Sequence, residues 1–142
     1  MFLRILSENR SILKFERYIV KKIVFETNEK YINKNEEIEL PFEFDTNTII
    51  KDDKMEIELG TTIFQNAEEN DYPFEMEVIL KGYFGVENAQ SDIKFFEKNA
   101  IAILFPYLRA IVSTYTVNAN VAPILLPAMN INEYLRKKYE KD

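Results

Sequence analysis

Residues 103 to 131 read ILFPYLRAIVSTYTVNANVAPILLPAMNI and carry a single charge, Arg109, in a chain that is 30% Asp, Glu, Lys and Arg. A segment this apolar must cross a membrane, fill a core or bind something apolar. Crossing a bilayer takes about 20 consecutive apolar residues. Arg109 cuts the run on one side; beyond it STYT, asparagines and prolines cut it again. Membrane insertion is therefore not expected, and the rest of the chain must decide between core and binding surface.

The first half alternates with period two, the pattern of half-buried strands. In 37–44, Ile38, Leu40, Phe42 and Phe44 oppose Glu37, Glu39, Pro41 and Glu43; Pro41 lacks an N–H and marks an edge or an interruption. Residues 54–64 place Met55, Ile57, Leu59 and Ile63 opposite Glu56 and Glu58, and 73–86 place Phe74, Met76, Val78 and Leu80 opposite Glu75, Glu77 and Lys81. In 15–26 both alternating sets mix apolar and charged residues, which reads as a strand partly covered on each side. TNEKYINKNE, DTNTIIKDD and QNAEEND read as the breaks. The expected fold class is α+β: a four-stranded antiparallel sheet with one apolar and one glutamate-rich face, its apolar face covered by helices.

The second half supplies the cover. Proline suits the first turn of a helix and breaks its interior, so a short turn before Pro106 and a main helix from about Pro106 to Asn118 are expected. Leu108, Ile111, Val112, Tyr115 and Ala119 form its apolar stripe; Ala110, Ser113, Thr114 and Val117 form an opposite side with no Lys or Glu. A helix buried on one face only carries charge on the other, so a second subunit is the economical cover, with Pro106, Leu108, Ile111, Ser113, Thr114 and Val117 at the interface. The prolines hold 122–130 extended. Asn130 and Glu133 have capping-box spacing, and a last short helix follows that would lay Tyr134, Leu135, Lys138 and Tyr139 on the body. The chain divides into an extension at 1–14, a sheet at 15–86 and a helical part at 99–140 with an apolar loop at 119–130, all in one domain.

Chemistry is sparse. There is no Cys and no His, which removes thiol nucleophiles, zinc–thiolate sites and every His-dependent triad. No metal-ligand spacing stands out. The net charge of −6 disfavours a nucleic-acid groove, and RKKYEK at 136–141 reads as a solvated helix end, where cations are favoured. The N-terminus has too short an apolar run and too many charges for a secretory signal, so the cytoplasm is the expected compartment.

These residues also carry a resemblance. LFPYLR (Leu104 to Arg109) followed by PILLPAMNI (Pro123 to Ile131) resembles the helical signature of the SecB protein-export chaperone family. RYIVKKIVFE (Arg17 to Glu26) is similar to that family's first strand; FEMEV (Phe74 to Val78) with GYF (Gly82 to Phe84) is similar to its fourth. The resemblance implies a homotetramer, a dimer of dimers, with the long helices sandwiched between two sheets. It implies a holdase that keeps unfolded precursor proteins translocation-competent without ATP or any cofactor, and no enzyme activity. It also implies a client surface on the loop before the last helix, here Ile124, Leu125, Leu126 and Met129. Non-directional apolar area suits clients of many sequences, and methionine adapts its shape.

In the family, acidic residues on the outer sheet face dock the SecA motor; Glu26 and Glu77 stand at matching positions. Lys22 departs from the pattern, and KKYEKD at the end is shorter and less acidic than the tail expected of an exporter. Some members instead guard the antitoxin of a toxin–antitoxin pair. A non-chaperone oligomeric adaptor uses the same fold for one defined partner, and a hotdog-type enzyme is the rival class with chemistry; it places its long helix early, whereas here the helix follows all four strands. Arg109, alone in its run, is expected to have a partner, since an unpaired buried charge is expensive.

Overall fold

A computed structural model describes residues 4–6, 12–32, 39–87 and 93–140. The elements are β1 (Arg4–Leu6), β2 (Ile12–Thr27), β3 (Phe42–Lys51), β4 (Lys54–Ile63), α1 (Ala67–Asn70), β5 (Phe74–Glu87), α2 (Ile93–Asn118) and α3 (Ile131–Tyr139). The strands form one antiparallel sheet in the order β1-β2-β5-β4-β3. This is the expected four-stranded sheet, extended by the short β1 on its edge.

β1 and the start of β2 fall within the expected extension at 1–14, α1 within an expected break, and α2 starts at Ile93, before the expected 99. Two further differences change the architecture. The second long strand begins after Pro41 and takes in most of the segment read as a break. Its residues 46–50, Thr-Asn-Thr-Ile-Ile, are mostly β-branched and suit a pleated surface, while Pro41 cannot donate to a ladder. The turn that follows is only Asp52 and Asp53, with Asp52 at φ 56°. Positions 37 and 38 of the expected strand lie outside the described residues.

The second difference is α2, which runs unbroken for 26 residues with Pro106 inside it. Proline removes one i→i−4 hydrogen bond. Pro106 and Ala102, whose carbonyl loses that bond, both lie on the exposed side, where solvent can reach the carbonyl. The buried stripe is Phe96, Ala100, Leu104, Leu108, Val112 and Thr116, a strict i+4 repeat that lies on the sheet. By length and composition α2 is apolar enough to cross a membrane; in this fold its stripe is the roof of the core.

Along β5, alternate residues from Phe74 to Val86 are buried, and β4 repeats the pattern from Met55 to Ile63. Strand β2 does not alternate simply, because register shifts occur between Phe15 and Arg17 and between Val20 and Lys22. Each bulge adds one residue and swaps the faces. Phe15, then Tyr18 and Val20, then Ile23 and Phe25 stand beside buried residues of β5, while Arg17, Ile19, Lys22, Val24 and Glu26 stand on the outer face. The mixed pattern is therefore three short alternating blocks in sequence, not one strand covered on both sides. Gly82 faces Leu104 at close approach: a Cβ there would lie 2.8 Å from Leu104 Cδ1 and 2.8 Å from Phe84 Cε1.

Candidate functional site

The loop between α2 and α3 is fastened by hydroxyls of α2. The Ile124 N–H donates to Thr116 Oγ1 (3.0 Å), and Ser113 Oγ donates to the Ile124 carbonyl (2.9 Å). Both polar groups of one loop residue are thus satisfied by side chains one turn apart on a helix. Two residues on, Leu126 is fully buried in the core. Between these two anchors Leu125 turns outward, 67% exposed. Ala122, Pro123, Pro127 and Ala128 are exposed beside it, and no charged residue occurs from 110 to 132.

The four loop residues read as client-binding therefore separate. Leu125 is open to solvent; Ile124 and Met129 are half-buried against the core. Leu126 is corrected: it is part of the core and offers no surface. The set read as an interface separates as well. Pro106, Thr114 and Val117 are exposed, with Ala102 and Ala110 on the same uncharged side, and Ile111 is partly buried. Leu108 is corrected, being wholly inside its own chain's core. Ser113 is occupied by the Ile124 carbonyl. On the flank facing β2, Tyr18 stacks on Tyr107 at 4.6 Å and Phe25 lies 5.5 Å from Tyr115. An apolar trough of about 330 Å³ runs among Tyr18, Tyr107, Ile111 and Tyr115.

Glu26 and Glu77 do share the outer sheet face: Glu77 stands opposite Val24, and Glu26 opposite Glu75. That face pairs its own charges. Lys22 meets Glu77 at 2.9 Å, Lys21 meets Glu58 at 2.5 Å, Lys54 meets Glu16 at 2.8 Å and Lys81 meets Glu56 at 3.5 Å. The hydrogen bond to Glu16, and then its charge, hold Lys54 above the usual lysine range. Exposed pairs of this kind add little stability, but they lower the negative field that a basic partner would feel. Arg109, expected to be paired, leaves its Nε buried with no hydrogen-bond partner among the described residues.

The last helix docks with the face read from its sequence. Asn130 caps it, its side chain accepting from the Glu133 N–H at 3.0 Å, and Arg136 donates to Glu133 at 2.8 Å, holding that carboxyl below its usual range. What the sequence did not reveal is the receptor. Glu97, fully buried on α2, accepts from Thr48 Oγ1 (3.0 Å), Lys138 Nζ (3.2 Å) and the Tyr139 hydroxyl. A glutamate in a helix interior is an ordinary surface residue by pattern, and only the apolar neighbours Phe96, Ala100 and Ile101 hinted that this one faces inward.

The protein is thus a sheet roofed by one long helix, with an anchored apolar loop held open to solvent. The family of preprotein translocase subunit SecB matches residues 7–142. An uncharacterized protein of Methanocaldococcus jannaschii is 41% identical over 126 residues, covering 84% of this chain and 79% of that protein. The fold is similar to that of the Mycobacterium tuberculosis SecB-like chaperone Rv1957, solved in complex with a ChAD peptide from the HigA1 antitoxin. The TM-score is 0.64 at 10% identity, over 83% of this chain and 88% of the other. This chain belongs to the SecB family of chaperones.

Proposed function

We propose that the chain is an ATP-independent holdase, acting in the cytoplasm as a homotetramer, that binds unfolded precursor proteins through apolar surface centred on Leu125. The carrying observation is the loop itself: a leucine 67% exposed, flanked by exposed alanines and prolines, and anchored at Ile124 so that it cannot collapse inward. A contiguous exposed apolar stretch without charge supports a binding site there. The uncharged outer side of α2 and the long edge of β2, which among the described residues β1 covers only at Ile12 to Lys14, support self-association.

The test is aggregation of an unfolded model protein with and without the chain, in the absence of ATP. The wild type should suppress aggregation. Leu125→Asp should weaken client binding about tenfold or more, because burying one leucine is worth about 1.5–3 kcal/mol. Its circular dichroism should match the wild type. A folded Leu125→Asp variant with unchanged client affinity would remove the loop from the site.

Delivery to SecA is the finer part of the reading and rests on Glu26 and Glu77. Calorimetry at low salt should detect the motor, Glu77→Lys should abolish the signal, and Lys22→Asp should tighten it by freeing Glu77 from its 2.9 Å partner. No heat of binding at low salt, in either the wild type or Lys22→Asp, would end the export role. The self-paired outer face favours a second reading, an antitoxin-guarding chaperone, which the peptide bound to the M. tuberculosis relative also supports. A pull-down dominated by one antitoxin-like chain, in place of many precursors, would select it.

A further inference from the structure

Glu97 is a carboxylate with no exposed surface, placed where a helix meets the edge of a sheet. A buried charge persists only when it is paired and hydrogen-bonded. Its partners come from two other elements: Thr48 from β3, and Lys138 and Tyr139 from α3. Lys138 reaches further, donating to Thr46 Oγ1 at 2.9 Å and toward the Thr46 carbonyl at 3.4 Å. The Thr46 hydroxyl also shares a hydrogen bond of 2.9 Å with the Tyr134 hydroxyl.

Beside this polar cluster, the apolar attachment of α3 is Leu135, its one buried residue, with Ile131 and Tyr134 half-buried against the core. Nine residues are too few for a helix to persist alone in water, so α3 exists because it is docked, through these apolar contacts and the charge and hydrogen bonds at Glu97 and Thr46 together. Its polar contacts reach the outermost strand at the Thr46 hydroxyl and, on the strand's backbone, at the Thr46 carbonyl alone, whose neighbouring N–H is held by Asp45 Oδ1; β3 pairs with β4 and with no other described strand. Lysine over a strand edge is a common guard against unwanted pairing. Here the guard sits on a separate helix and is held by a carboxylate on a third element.

We infer that Glu97 is a latch holding α3 against β3 at Thr46, and that release of α3 opens the β3 edge to strand addition by an extended segment of an unfolded client. The client half of this inference rests on the holdase reading; the latch half does not. Strand addition supplies main-chain hydrogen bonds that any sequence can make, and the half-buried Phe42, Phe44 and Ile50 on the inner face of β3 supply apolar contacts beside them. A surface so composed complements Leu125, which offers apolar area alone.

Hydrogen exchange on the full-length protein tests the latch without any client. Lys138→Met leaves the carboxylate buried without its cation, and Glu97→Gln leaves the cation without its carboxylate. Each should speed exchange across 131–139 about tenfold or more while the amides of β5 and of 100–112 keep wild-type rates, as expected for sub-global opening. In the paired variant Glu97→Gln with Lys138→Met the combined effect should fall clearly short of the product, because both remove the Lys138–Glu97 contact, while each also loses hydrogen bonds of its own. Wild-type exchange of α3 in both single variants, or effects that multiply, would overturn the latch. If Glu97→Gln does not fold, Tyr139→Phe, which deletes one hydroxyl from the same carboxylate, replaces it with the same expected direction. For the client half, an unfolded model protein should bind the Lys138→Met variant about threefold or more tightly, the sense expected when a competing closed state is removed. It should also slow exchange at 42–51. Neither change would overturn strand addition while leaving the latch standing. A wild type that never suppresses aggregation would overturn the holdase reading, and the exchange data would still decide the latch.

Discussion

Gly82→Ala should lower the free energy of unfolding by about 1–3 kcal/mol, the usual range for forcing extra methyls into a packed core. The added Cβ would sit 2.8 Å from Leu104 Cδ1 and from Phe84 Cε1. Ends of side chains often step aside, but Leu104 is 0% and Phe84 1% exposed, so neither has free space to enter. α2 would have to lift from β5 along the stripe that roofs the core. Leu104→Ala alone should cost about 2–5 kcal/mol through the cavity it leaves. The pair should cost clearly less than the sum, because the second change removes the atoms that the first one strikes. Urea midpoints of the four proteins measure this. Full additivity would mean that the helix and sheet are not in contact at this point.

Ala110→Glu should break the assembly while leaving the subunit folded. Ala102, Pro106, Ala110 and Thr114 recur every four residues on the exposed side of α2, and Val117 beyond them is 57% exposed. In the proposed tetramer this side would be covered, and a carboxylate placed there would be buried without a partner, at a cost of several kcal/mol. Light scattering at micromolar concentration should report a tetramer for the wild type and a smaller species for Ala110→Glu. A monomeric wild type that does not change with concentration would end the assembly proposal, and a stable dimer would restrict it to one interface. Ser113→Glu is a poor probe of the same question, because Ser113 holds the Ile124 carbonyl and its loss would release the loop.

The strands β4 and β5 were legible because each alternates without interruption over its whole length. β2 was half legible: its apolar residues were visible, but two one-residue bulges move them from odd to even positions and back, and a single period cannot represent that. Pro106 misled in the opposite direction. Its local cost is real, yet the long stripe from Phe96 to Thr116 outweighs one lost hydrogen bond on the wet side of the helix. The docking face of α3 and its Asn130 cap were readable from spacing over a few residues. The fate of Leu126 and Leu108 was not, since neighbouring apolar residues in one run carry no mark of which faces the core. Glu97 was illegible for a further reason: its partners lie 41 and 42 residues later and 49 residues earlier in the chain, and no local pattern links them.

The contact between Lys22 and Glu77 has a consequence for any cationic partner of the outer sheet face. Lys22 is an intramolecular competitor, tethered beside Glu77 on the neighbouring strand at an effective concentration of about millimolar or above. An arriving lysine or arginine therefore exchanges one ion pair for another instead of making a new one. Little net charge is neutralised at that position, so raising the salt should weaken the contact there far less than it weakens docking onto unpaired carboxylates. A flat salt dependence would thus mark recognition by exchange, and Lys22→Asp would restore the steep one.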